Sequence, residues 1–371
     1  MDTPRRGCEK IGTGSGHPHQ ILENMSCQPV PVPFFSQPRS VGTNPALPWP
    51  LSRWNWLTQP ERAERLAALR IGVALVLLWD VLFAYWPLVD VFFGQGSLGS
   101  PGIFGAAKHG WQRWSLFRGV GDPLMYRLIL LSWAAAAFCL LLGVLPRLSA
   151  AWCWVCSISI IGVNYYLHNS GDNVRTIALF YLMLSPCGAV WTLPRWLRGH
   201  PREAVYVPAW PMRLLFVQLA IIYCINGIYK MASPEWASGA LMHYVMGNLA
   251  WTRISYAMAP LPFPLLQLQT WTVMLFEVSF PLLVMLPVTR KPALILGVIF
   301  HLGTGILLQI GAFPLYMICL YLPLAPWERW IGASHLEQVE RHEPGLNQSP
   351  AWRIPQSSQK TEGCLPTAAI P

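Results

Sequence analysis

Charge is what this 371-residue sequence has least of: Asp, Glu, Lys and Arg together make up 12% of it, against 53% hydrophobic residues. A water-soluble chain carries about a quarter of its residues as charges, so an ordinary hydrated surface is excluded and lipid is the expected solvent. Chemical motifs are equally scarce. There is no zinc-ligand spacing, no Ser-His-Asp ordering, no nucleotide loop and no EF-hand loop, so no metal site is indicated. The GTGSG run at Gly12–Gly16 has neither a strand before it nor a helical pattern after it, which removes the context a phosphate loop needs. No apolar run in residues 1 to 52 is long enough for the core of a signal peptide, and no cleavable leader is expected.

Cysteine is present, with nine residues, but Cys139, Cys153, Cys156, Cys187, Cys224 and Cys319 lie inside apolar runs and read as small hydrophobes. The Cys153-x-x-Cys156 pair lacks the strand, turn and helix of a redox motif. The basic excess, 26 Lys and Arg against 17 Asp and Glu, sits in short clusters between apolar segments. Anionic headgroups, not nucleic acid, are the partner this arrangement suits.

What is there in abundance is the apolar segment of roughly 17–25 residues, the length a helix needs to cross about 30 Å of hydrocarbon. Such segments fall near 67–88, 124–145, 148–167, 174–191, 211–231, 269–287, 292–309 and 313–327. The sequence therefore predicts an all-α polytopic transmembrane bundle of about eight spans over residues 53–332, between disordered polar tails at 1–52, rich in Pro, and 333–371. Pro146–Arg147, Pro287–Lys291 and Gly311–Pro314 read as tight turns between antiparallel neighbours. Arg53, Arg62 and Arg65, then Arg195, Arg198 and Arg202, then Arg290 and Lys291 all fall on one side, which the positive-inside rule makes cytoplasmic together with the amino terminus. Lys108, Arg113 and Arg118 fall opposite them.

Ionisable groups inside a span cost about 2.5–3.5 kcal/mol each on insertion scales and need a partner, a watery cavity or a route to the interface. Asp80, Lys230, Glu277 and His301 are such groups, and the first three share the outer half of the bilayer, where they could meet. For Lys230 two readings stand: a stem in lipid with its ammonium snorkelling to the headgroups, or a desolvated amine working as a base. His301 reads by default as an interior histidine bonded to a carbonyl one turn away. The polar turn His168-Asn169-Ser170-Gly171-Asp172-Asn173 is either a capped helix start or the rim of a cavity.

Leu66–Gly72, Phe92–Phe104, the Asn-Ser-Gly-Asp turn, Gly227–Leu241 (GIYKMASPEWASGAL) and His301–Met317 (HLGTGILLQIGAFPLYM), in that order, resemble the horizontally transferred transmembrane (HTTM) domain. That family includes the membrane part of vitamin K-dependent gamma-carboxylases and bacterial relatives, and the resemblance spans roughly residues 58–332. In the carboxylases a lysine followed after a short spacer by a tryptophan deprotonates reduced vitamin K, and Lys230 and Trp236 match that pattern. The resemblance implies a quinol-dependent, carboxylase-like enzyme with a vitamin K-like reduced quinone and a glutamyl peptide as partners. Lys230 and His301 are its expected catalytic residues, with His168, Asn169, Asp172, Trp236 and Glu277 around the substrate. Two features depart from the family: His168-Asn169 stands where carboxylases carry Asn-His, and about forty residues stand where they carry a propeptide-binding domain. The rival expectation is a non-catalytic transporter or lipid-binding protein whose buried charges form a path or an anchor.

Overall fold

A computed structural model describes residues 55–93, 115–117, 119–163, 168–199, 204–254, 260–325 and 327. The tails expected at 1–52 and 333–371, and Lys108, Arg113 and Arg118, lie outside the described residues.

After a short helix α1 (Asn55–Thr58), strand β1 (Pro60–Arg62) leads into α2 (Glu64–Trp79). The helix does not stop at Trp79. It continues through a π-helical stretch, Asp80–Tyr85, and a 3-10 turn, Trp86–Leu88, into α3 (Val89–Phe92), a 29-residue apolar rod in all. Helix α4 (Pro123–Leu142) starts on Asp122, whose carboxylate accepts the Leu124 N–H at 2.8 Å, and ends at Gly143, where a φ of 70° favours a residue without Cβ. Then follow α5 (Pro146–Val163), α6 (Ser170–Leu184), the short α7 (Leu193–Leu197), strand β2 (Tyr206–Pro208) and α8 (Trp210–Met231). Two short helices, α9 (Pro234–Ala237) and α10 (Leu241–Gly247), precede α11 (Phe263–Met285), α12 (Pro287–Leu307) and α13 (Phe313–Tyr321), which ends in a 3-10 turn at Leu322–Leu324.

Six of these helical rods are long and apolar enough to cross a membrane. The fourth and eighth expected spans, α6 with 15 residues and Phe313–Leu324, form as helices but reach only about 22 and 18 Å, short of the hydrocarbon thickness. Two expected turns are also corrected. Pro146–Arg147 opens α5 and Pro287–Lys291 opens α12, because a proline at the first helical position loses no hydrogen bond and arrives with helical φ.

Helix α8 lies against α11, α5 against α6 and α4, and α2 against α4 and α13. Leu69, Leu77, Trp133, Leu140, Leu179, Leu219, Phe280 and Leu320 fill the centre. Phe83, Leu275 and Ile306, by contrast, turn outward with 65–69% of their surface bare. Large apolar side chains on the outside as well as the inside are what a lipid-bathed bundle presents.

The β1–β2 ribbon, antiparallel with Glu61 opposite Val207, is too short to register in hydropathy. It ties the start of α2 to the start of α8. Arg70 bonds the Trp191 carbonyl at 2.5 Å, adding the segment after α6 to the same end. The other end gathers the end of α8, the start of α6 and the α12–α13 turn, where the Gln309 N–H bonds the Trp251 carbonyl at 2.9 Å.

Candidate functional site

Lys230 stands one turn beyond Gly227 on α8, and at Gly227 α8 packs closely on α11. A Cβ there would meet the Val278 backbone nitrogen at 2.8 Å. Because α8 can seat that deeply, Lys230 reaches Glu277, the residue before Val278, and its Nζ lies 2.5 Å from Oε1. The Trp236 ring of α9 closes the other side, 4.5 Å from Nζ to the ring centroid. The lysine side chain retains 20% exposure and the glutamate 7%. The Lys230 nitrogen is thus held between a carboxylate and an indole face. Glu277 Oε2 is buried with no hydrogen-bond partner among the described residues. Beside the pair, outside the spans, the Ser233 hydroxyl donates to Glu235 at 2.6 Å and holds that carboxyl below its ordinary range.

His301 of α12 is buried, and its partner is not a carbonyl one turn away. Its Nε2 lies 2.6 Å from the Tyr223 hydroxyl, which lies 2.6 Å from the Tyr321 hydroxyl. Phe300, Phe313 and both tyrosine rings surround the imidazole, and its Nδ1 has no partner among the described residues. No hydrogen bond or ion pair among the described residues joins this chain to Lys230 and Glu277.

Asp80 does not meet Lys230 or Glu277. It belongs to a second cluster, built on Arg175 of α6, whose side chain is wholly buried. The guanidinium donates to Asp80 at 2.8 Å, pairs with Asp172 at 2.7 Å and donates to Ser157 at 3.2 Å. The Tyr85 hydroxyl donates to Asp172 at 3.0 Å and that of Tyr316 to Asp80 at 3.1 Å. The polar turn is the start of α6: Asn169 Oδ1 accepts the Gly171 N–H at 2.7 Å, and Asp172 accepts the Asn169 N–H at 2.8 Å, a reciprocal capping box. His168 lies 3.0 Å from Asn173 Oδ1. A pocket of about 140 Å³ opens beside this cluster, with Asp80, Tyr85, Phe93 and Asn169 among its walls but neither Lys230 nor His301.

Of the residues expected at the site, Lys230, Trp236 and Glu277 come together, and His301 sits on the adjoining helix with a network of its own. His168, Asn169 and Asp172 belong to the Arg175 cluster. Sequence reasoning missed Tyr223 and Tyr321 as partners. Tyr223 precedes Lys230 by seven residues, two helical turns, and that spacing on one face was the available signal.

A lipid-facing helical bundle with rare polar groups paired inside it defines a polytopic integral membrane protein. The family model of the HTTM domain matches residues 59–330, well over half of the chain. The chain belongs to the HTTM family. No solved structure matches it.

Proposed function

We propose that this protein is a membrane-embedded, carboxylase-like enzyme in which Lys230 accepts a proton from a reduced, lipid-soluble quinone. The observation that carries this reading is the seating of Lys230 between Glu277 and Trp236, with 20% of its side chain exposed. A snorkelling lysine would extend to the interface instead. The residues suit a quinol: Trp236 and Phe276 offer apolar faces, and the orphaned Glu277 Oε2 is an acceptor awaiting a hydroxyl donor. A quinol bound there supplies, on reaction with oxygen, a base strong enough to remove a glutamyl γ-proton, whose carbanion CO2 then traps.

The protein's own part is narrower. Lys230 takes the proton at Nζ, the Glu277 carboxylate opposite balances the ammonium that results, and the aromatic wall keeps water away from the reacting groups. His301 borders this region through Phe300, which packs on Phe276, the neighbour of Glu277. Lys230→Ala in membranes abolishes quinol-dependent incorporation of labelled CO2 into a glutamyl peptide, and Lys230→Arg does not restore it because guanidinium keeps its proton. Unchanged incorporation in either variant, or none in the wild type with any quinol, sinks the proposal.

A further inference from the structure

The pocket beside the Arg175 cluster has no part in the chemistry of Lys230. Among its lining residues, Asp80, on the π-helical stretch that interrupts the first rod, is buried, and Asn169, where α6 begins, is exposed, so that Asp80 is the deeper group and Asn169 stands at the mouth. Single π-helical turns recur at functional positions in helices. The formal charges around it do not cancel: two carboxylates, Asp80 and Asp172, share one guanidinium, that of Arg175.

The hydrogen bonds say which atoms remain. Asp172 is saturated, with Oδ1 taken by Arg175 and Tyr85 and Oδ2 by the Asn169 N–H. Asp80 spends Oδ2 on both Arg175 and Tyr316, so Oδ1 is the oxygen without a hydrogen bond among the described residues, and Asp80 itself is only 7% exposed. Asn169 spends its Oδ1 on capping Gly171, which leaves its amide Nδ2 as a donor at the mouth. Trp79 and Phe93 add aromatic surface to the lining.

An acceptor carrying the excess negative charge lies deep, aromatic rings flank it, and a neutral donor stands at the mouth. We infer that this pocket binds a primary ammonium joined by a short link to an oxygen, the ethanolamine group, with the ammonium on Asp80 and the oxygen on Asn169. The ammonium satisfies Asp80 Oδ1 and cancels the surplus charge, while the rings favour a cation over a neutral group. Trp79 and Leu88 line the pocket and are both substantially bare, apolar surface of the kind this bundle turns to lipid, so a phospholipid headgroup is as fit an occupant as the free amine.

The full chain in nanodiscs of mixed phosphatidylethanolamine and phosphatidylcholine tests this by native mass spectrometry of the lipid retained after delipidation. The wild type retains the ethanolamine lipid about tenfold over the choline lipid, the scale of one hydrogen bond to a charged group, since a trimethylammonium cannot donate. Asp80→Asn loses the preference but also strips Arg175 of a partner, so Ala84→Leu carries the decision. Ala84 lines the pocket without touching the charge network. Ala84→Leu keeps its helical circular dichroism and loses the preference. A second arm adds free ethanolamine to phosphatidylcholine nanodiscs and follows tryptophan fluorescence. A response there that Ala84→Leu abolishes assigns the site to the free amine, and retention that ethanolamine does not displace assigns it to the lipid. Equal retention of the two lipids together with no response to ethanolamine, or an Ala84→Leu protein that binds like the wild type, overturns the inference.

Discussion

Two buried arginines in this bundle have opposite economies. Arg175 is ringed by two carboxylates and by the faces of Trp133, Tyr85 and Tyr316 at 5.1–5.8 Å, so removing it leaves two carboxylates with no cation. Arg175→Met lowers unfolding stability by about 3–5 kcal/mol, the scale of a broken buried pair, and thermal melts in detergent read this directly. Arg175→Lys recovers little of it, because an ammonium cannot span both carboxylates and Ser157 as a planar fork does. Arg70 is equally buried, yet its one acceptor is the Trp191 carbonyl, and its Nε and one terminal nitrogen have no partner among the described residues. Arg70→Met therefore leaves unfolding stability unchanged or raises it, by on the order of 1 kcal/mol, since it removes an unpaired charge at the loss of a single hydrogen bond. A large fall in melting temperature would show that Arg70 has a partner beyond the carbonyl.

Among the elements, the α8–α11 contact sets the position of Lys230. Gly227 admits α11 because it has no Cβ: a Cβ there would meet the Val278 Cγ2 methyl at 2.6 Å and, behind it, the Val278 backbone nitrogen at 2.8 Å, which cannot swing away as a side-chain tip can. Gly227→Leu pries the helices apart, costs about 1–3 kcal/mol as overpacking and separates Nζ from Glu277. On the reading proposed for Lys230, it lowers quinol-dependent turnover more than a remote substitution of equal destabilisation does. A variant with wild-type turnover would place the lysine's action elsewhere. At the start of α6, Asn169→Ala removes the cap and costs about 1 kcal/mol, seen as faster amide exchange over residues 170–174.

For the molecule as a whole, several arginines gather at one end. Arg62, Arg65, Arg195, Arg198 and Arg290 lie at the end tied by the β1–β2 ribbon and by Arg70, whereas Lys230, Asn169 and Gln309 lie at the other. The positive-inside rule predicts that the basic end faces the cytoplasm. Cysteines introduced at Arg198 and at Ser238 in right-side-out vesicles then differ, with a membrane-impermeant maleimide labelling Ser238→Cys and sparing Arg198→Cys; the reverse pattern inverts the topology.

The membrane setting, the order of the helices and the clustering of basic residues were legible in the sequence, because each depends on sums over short stretches of chain: hydropathy, length and local charge. The fourth and eighth spans came out short because proline and capping residues cut α6 and α13 below membrane thickness, and capping is a local matter that hydropathy windows smooth over. Which polar groups meet was another kind of question. Lys230, Glu277 and Asp80 share one half of the bundle, but only the third dimension gives Lys230 to Glu277 and Asp80 to Arg175, 95 residues away along the chain. That choice depends on helix faces and on close approaches such as Gly227 against Val278, and a partner across the bundle leaves no mark on the residues beside it in sequence.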